Sequence, residues 1–462
     1  MNINERANCL ADHLLDLEQQ LGRLKQKRSQ KSVIKFRLST GWLCKRLLVS
    51  NAASARSGLR IAKDKNRYAK SRYMPEGISY DITILGVLEM LQLDGWVREI
   101  RRGSYSRDKG EGEQTLIAPT QKLLDWFIYD PITLPKILAG FEDAEPLVVQ
   151  ITSKRKGTNT KGKPVTIKTK KLVSYDDNPS INRMRSNLNA INDCLLRHWS
   201  DLYLSDRDWE RLQESLLNDS KHDYSPIKLH RQTIRRIFNS TSFDIGGRFY
   251  GGWWQNIPSA YRGLITIDGR RTVEFDYGRL HPTILYAKRG LKLASDAYDI
   301  GIGAEHRDVV KQLFNAMIQM VEPQDRPPRD VKFSQTGKKW KQLRDLIIEK
   351  HEPIKDCFFC GMGNQLQFED SKIAEKVILS FIKEDIPILP VHDSFLVQVG
   401  YQARLINTMS DAFLAAYGVA IDVSDSAKFL PMDFPGSDEV NVAAIVQNMD
   451  EYAAYWARNP ID

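Results

Sequence analysis

RTVEFDYGRLHPTILYA (271–287) changes its period halfway along, and that change decides the fold of the second half of the chain. Val273 and Phe275 alternate with Thr272 and Glu274, a period of two that reads as a strand ending on Asp276. Leu280, Ile284 and Leu285 then return at helical spacing, with Pro282 near the helix start, where proline is tolerated. A carboxylate at the exit of a buried strand, facing a helix, is well placed to hold a divalent cation. A second break of the same kind lies in IPILPVHDSFLVQV (386–399). Two apolar runs flank His392–Asp393–Ser394, which puts the polar triplet on the tip of a hairpin. Each acid alone could be a turn residue. Two acids that each interrupt an apolar strand can converge on two Mg2+ ions (or Mn2+) about 3.5–4 Å apart, the arrangement used for in-line nucleotidyl transfer.

Between the two acids, AEHRDVVKQLFNAMIQM (304–320) reads as a helix. Val310, Phe314 and Met317 form its apolar side, while Arg307 and Lys311, four apart, project from one face. Such a pair can hold a triphosphate and donate a proton to departing pyrophosphate. The same spacing also suits a plain solvated face.

The first half has a different texture. Leucines at helical spacing between residues 5 and 28, followed by Lys25, Lys27 and Arg28, predict an amphipathic helix with a basic C-terminal end. From Tyr80 to Phe127 the pattern runs helix, strand, polar turn, strand, helix, with Gly95 stopping the first helix. That order matches a winged helix whose wing would carry Arg101, Arg102, Arg107 and Lys109 along phosphates; a hairpin used only for packing has the same order. Residues 153–171 hold eight Lys or Arg and no acid, a solvated loop or a backbone-tracking segment. Residues 175–240 read as helical, through INRMRSNLNAINDCLLRHW and later RQTIRRIFN, and 322–341 reads as a Pro-rich loop. The divisions expected are an N-terminal helix (1–30), a winged-helix-like DNA-binding module (31–135), a basic linker or hairpin (136–174), a helical thumb-like segment (175–244) and a catalytic region (245–462).

Composition narrows the class. The 462 residues carry 67 Lys and Arg against 58 Asp and Glu, a formal charge of +9 that suits a polyanionic partner. No apolar run of about 18 residues exists, so a membrane partner is not expected. The N-terminus lacks a signal-peptide core, and five scattered cysteines make no disulfide scaffold. The chain therefore reads as cytoplasmic. Cys357 and Cys360 form a lone CxxC better explained as core than as a metal site, and Trp253–Trp254 could stack on bases or simply pack.

Taken in order, GGRFYGGWWQNIP (246–258), FDYGRLHP, RDVVK and LPVHDSF resemble the polymerase core of family-A DNA polymerases, the family of bacterial DNA polymerase I. The resemblance covers about 245–410, and LQFEDSKIAEKVI (366–378) looks like the helix that precedes the family's last motif. KQLFNAM and DYGRLHPTIL are also similar to family-B motifs, and His392–Asp393–Ser394 to single-subunit phage RNA polymerases. The resemblance implies an α+β fold with a right-hand palm and fingers, and Asp276, Asp393 and the Tyr277 carbonyl at the Mg2+ ions. Arg307 and Lys311 would bind the incoming dNTP, Lys311 protonating pyrophosphate, while Arg248 and Gln367 would contact the DNA primer–template. His281, five residues after the motif acid, would exclude a 2′-hydroxyl, or else only begin the helix at Pro282. Two alternatives stand beside a DNA polymerase: an RNA polymerase or primase on the same palm, and a replication-initiator DNA-binding protein with an inactive palm.

Overall fold

The computed structural model describes residues 2–24, 26–53, 58–63, 72–73, 82–106, 111–127, 145–158, 164–204, 209, 211–212, 216, 227–328 and 331–425. Helix α1 (Ile3–Gln20) begins at a capping box: the Asn2 side chain accepts from the Glu5 amide, and the Glu5 carboxylate accepts from the Asn2 amide. Leu10, Ala11 and Leu14 on one face of α1 enter a core shared with α2 (Gln30–Ala53) and, after β1 (Leu59–Ile61), with α3 (Ile82–Leu93). Then follow β2 (Val97–Arg101), β3 (Ser104–Ser106), β4 (Glu111–Glu113), β5 (Thr115–Pro119) and α4 (Gln121–Phe127). Strands β1, β5 and β2 form one antiparallel sheet, and β3 pairs with β4 as a small hairpin in the polar segment.

Helix α1 does not run to residue 28. Gly22 takes φ +61, its amide returns to Gln19 and the Arg23 amide to Glu18, a helix end that glycine alone accepts without strain. Arg28 folds back instead and binds both Glu18 carboxylate oxygens at 2.7 Å.

A second core runs from Leu147 to Phe413. Of the basic segment 153–171, residues 153–158 lie in β6 (Leu147–Thr158) and 164–171 in β7 (Pro164–Leu172), which pair antiparallel; 159–163 lie outside the described residues. After α5 (Pro179–Arg197), capped by Asn178, come β8 (Ser200–Leu202), β9 (Arg235–Phe238) and β10 (Gly246–Tyr250). The sheet order is β10-β9-β6-β7, with β6 and β9 parallel and the other pairs antiparallel. The helical expectation for 175–244 is thus corrected in its later part: RQTIRRIFN supplies a strand. Arg236 and Phe238 of β9 turn inward while Arg235 and Ile237 are half-buried, a period of two. The inward guanidinium is satisfied by Glu375 at 2.9 Å, Ser371 at 3.0 Å and the Gly247 carbonyl at 2.8 Å.

The catalytic-region expectation falls on β11 (Ile265–Ile267), β12 (Arg270–Tyr277), α6 (Leu280–Ala287), α7 (Arg307–Gln319), α8 (Trp340–Lys350), α9 (Gly363–Ile382), β13 (Leu389–Val391), β14 (Ser394–Gln398), α10 (Gln402–Tyr417) and β15 (Val423–Asp425). The sheet runs β13-β14-β12-β11-β8, with β15 also pairing with β12, all antiparallel. Tyr277 packs its ring on Phe413 of α10 and donates its hydroxyl to the Met409 carbonyl, which anchors β12 by one face. Thr272, Glu274 and Asp276 alternate onto the other. The described chain is a mixed α and β protein, as the sequence pattern implies, and no described helix is long and apolar enough to cross a membrane.

Candidate active site

Asp276 and Asp393 reach one place by simple means. Asp276 stands opposite Ser394 in the β12–β14 ladder, so Asp393, one residue earlier, lies beside it. Val391 pairs with Ser394, leaving His392 and Asp393 as a two-residue turn in which His392 adopts φ +62. A non-glycine residue held there is strained, and such strain gathers at functional positions. Ser394 secures the turn by donating to Glu274 at 2.6 Å and sitting 3.1 Å from the Val391 carbonyl. Its hydroxyl is thereby spent on the fold.

Burial, then the neighbouring Asp393 charge, push the Asp276 carboxyl up to about 7, while the Lys311 ammonium works in the opposite sense. Asp276 Oδ1 is buried and has no hydrogen-bond partner among the described residues, and neither does His392 Nδ1. Buried polar atoms are normally paired, so an orphaned carboxylate oxygen calls for an account other than packing. Burial and the Arg248 charge hold His392 below the usual imidazole range, and its ring packs edge-on against Tyr250 at 5.4 Å.

Helix α7 brings the two basic residues to different circumstances. Val309, Val310, Leu313, Phe314 and Met317 are buried, so the remaining face carries Arg307 and Lys311 outward. Lys311 is exposed and acts on Asp276. Arg307 is engaged already: Nε and Nη2 bind Asp296 at 2.6 and 3.1 Å, with the guanidinium over the Tyr298 ring at 5.1 Å.

Arg248 and His281 meet on a residue the motif pattern did not single out. Asp370 of α9 is buried and takes Arg248 Nε at 2.9 and 3.1 Å and the Nη2 of the same guanidinium. His281 Nε2 lies 3.1 Å from Asp370 Oδ2 and 3.3 Å from Arg248 Nη2. Gln367 sits one turn before Asp370 on α9 and is half-buried. Asp370 was visible in LQFEDSKIAEKVI as an acid three residues after Gln367, hence on the same helix face. Glu274, buried and paired with Arg262, was equally visible two residues before Asp276 on the same strand face.

Other expectations resolve. Trp253 and Trp254 are core residues, 1% and 0% exposed, donating to Ser200 Oγ and the Pro390 carbonyl. They cannot stack on bases. Cys357 is buried, and Cys360 donates to its carbonyl at 3.0 Å. Arg101 pairs with Glu113 at 3.3 Å on the surface and Arg102 is exposed, whereas Arg107 and Lys109 lie outside the described residues. No protein-family profile and no curated protein matches the chain.

Proposed function

We propose that the chain is a template-directed nucleotidyltransferase, a DNA-dependent DNA polymerase that uses two metal ions. One observation carries this reading: a half-buried Asp276 beside Asp393, with a buried carboxylate oxygen that has no hydrogen-bond partner among the described residues and Lys311 close by. The donors at that point are carboxylate oxygens, with the Tyr277 carbonyl next in the chain, and an oxygen-only set is what Mg2+ takes, Mn2+ as well. The ions would activate a primer 3′-hydroxyl and stabilise the leaving oxygen. Asp276 on β12 and Asp393 in the β13–β14 turn would hold the site, with that turn secured by Ser394. Lys311 places an ammonium where pyrophosphate departs and supplies it with a proton. Arg307 awaits the triphosphate, pre-positioned by Asp296 and Tyr298. Asp370 fixes Arg248 and the His281 ring, so that the imidazole occupies a set position for sugar selection. The unit of α1 to α4 with its three-stranded sheet has the composition of a winged helix, and Arg101 and Arg102 support duplex binding there.

The test is primer extension on a DNA template with dNTPs or rNTPs, with and without Mg2+. Mg2+-dependent extension with dNTPs is expected. Preferred use of rNTPs would move the chain to the RNA polymerase or primase alternative, and no extension with salt-sensitive DNA binding would make it an initiator.

A further inference from the structure

At the opposite end of β12, two elements bring a thiol, an imidazole and a carboxylate together. Cys194 and His198 lie one turn apart at the end of α5, and Asp385 lies in the loop after α9. Their donor atoms are all within 4.8 Å of one another. Asp268, in the turn between β11 and β12, stands behind this triangle. Its Oδ2 lies 2.6 Å from His198 Nδ1, and its Oδ1 accepts the Trp199 amide at 2.8 Å. Nδ1 is therefore held as the donating nitrogen. Nε2 faces Asp385, 3.7 Å from Oδ1 and 3.0 Å from the carbonyl. A carboxylate that fixes the far nitrogen of an imidazole is the usual support behind a metal-binding histidine.

We propose that Cys194 Sγ, His198 Nε2 and Asp385 form a Zn2+ site, with water in the fourth position. Thiolate, imidazole and carboxylate are a donor set for a borderline cation, unlike the oxygen-only sets of Mg2+ and Ca2+. Binding releases two protons, one from the Cys194 thiol and one from His198 Nε2, so affinity rises with pH. Arg197, which binds Asp385 Oδ1 at 2.5 Å, shares that carboxylate with the ion. Six residues of β12 separate this end from Asp276, roughly 20 Å at strand rise. The ion's role is structural: it staples α5, the β11–β12 turn and the loop before β13, three segments that frame the sheet bearing Asp276 and Asp393.

The experiment uses the full chain, stripped with a chelator and titrated with Co2+ as a spectroscopic stand-in. A single equivalent should produce thiolate-to-cobalt charge transfer and tetrahedral visible bands, both bleached by Zn2+. Cys194→Ser should abolish the charge transfer, while Cys360→Ser and Asp276→Asn leave it intact. Asp268→Asn should retain the band with affinity lowered about 10–100-fold. Should Cys194→Ser not fold, the half-exposed His198→Gln and exposed Asp385→Asn decide, each losing at least tenfold in affinity. Absence of charge transfer in the wild type, its survival in Cys194→Ser, or unchanged affinity in both His198→Gln and Asp385→Asn overturns the site. None of these outcomes depends on primer extension.

Discussion

The two ends of β12 treat their acids in opposite ways. Asp268, just before the strand, has one oxygen on the His198 ring and the other on the Trp199 amide. Asp276, near the other end, is more deeply enclosed, faces a second acid and leaves Oδ1 without a hydrogen-bond partner among the described residues. Elsewhere in the same core, two buried ions have partners: Arg236 with Glu375, and Asp370 with Arg248. Stability alone gives no reason to keep a carboxylate that a neighbouring acid repels and that has one oxygen unpartnered among the described residues. On the proposed reading, the difference separates residues that hold the sheet from one that binds a metal ion.

Exchanging the acids should expose that difference most sharply in activity. Asp276→Asn or Asp393→Asn should abolish primer extension while affinity for primer–template, measured by fluorescence anisotropy, stays near that of the wild type. Extension at the wild-type rate by either variant would break the comparison.

The next effect is on stability. Arg236→Ala removes a buried guanidinium from the half-buried Glu375, which keeps its hydrogen bond from Asn187, and losing a hydrogen bond to a charged group costs about 1.5–3 kcal/mol. Denaturant unfolding should show that loss, and an unchanged midpoint would mean that the buried pair does not hold β9 to α9. Asp276→Asn should do the reverse. A carboxyl whose folded pKa is raised contributes stability below its unfolded value near 3.8, and loses it as pH rises toward about 7. Metal-free wild type should therefore fall behind Asp276→Asn across that window, by on the order of a few kcal/mol above pH 7. Unfolding curves at pH 4 and pH 8 check the sign, and equal stability at both would remove the strain from Asp276.

His281→Ala has the smallest expected effect. Removing an imidazole that overlaps a 2′-hydroxyl should relax discrimination by about 10- to 200-fold, the range associated with 1–3 kcal/mol of steric cost. Single-nucleotide addition with dNTP and rNTP gives the ratio of kcat/KM directly. An unchanged ratio would leave His281 as a helix-start residue bound to Asp370.

Local pattern carried the reading furthest where structure is local. The strand-to-helix switch at 271–287, the helix at 304–320 and the hairpin at 386–399 stand where their periods put them. The sequence around β9 reads as helical because the neighbours that make it a strand are distant: β6 lies nearly ninety residues earlier, and Arg236 is satisfied from Glu375. No window of ten residues contains that information. The same limit applied at the site. Asp276, Asp393 and Lys311 could be paired by motif order, but the partners of Arg248 and His281 on Asp370 are 122 and 89 positions away. The early end of α1 was more accessible, since Gly22 sits where a left-handed turn closes the helix.

On the proposed function, Asp276 and Asp393 together hold two divalent ions for phosphoryl chemistry. Electron paramagnetic resonance can count Mn2+ on the full chain with primer–template and a non-hydrolysable deoxynucleotide. Two ions per wild-type chain, with the count reduced in both Asp276→Asn and Asp393→Asn, is the expected result. A count that neither substitution alters would contradict the account.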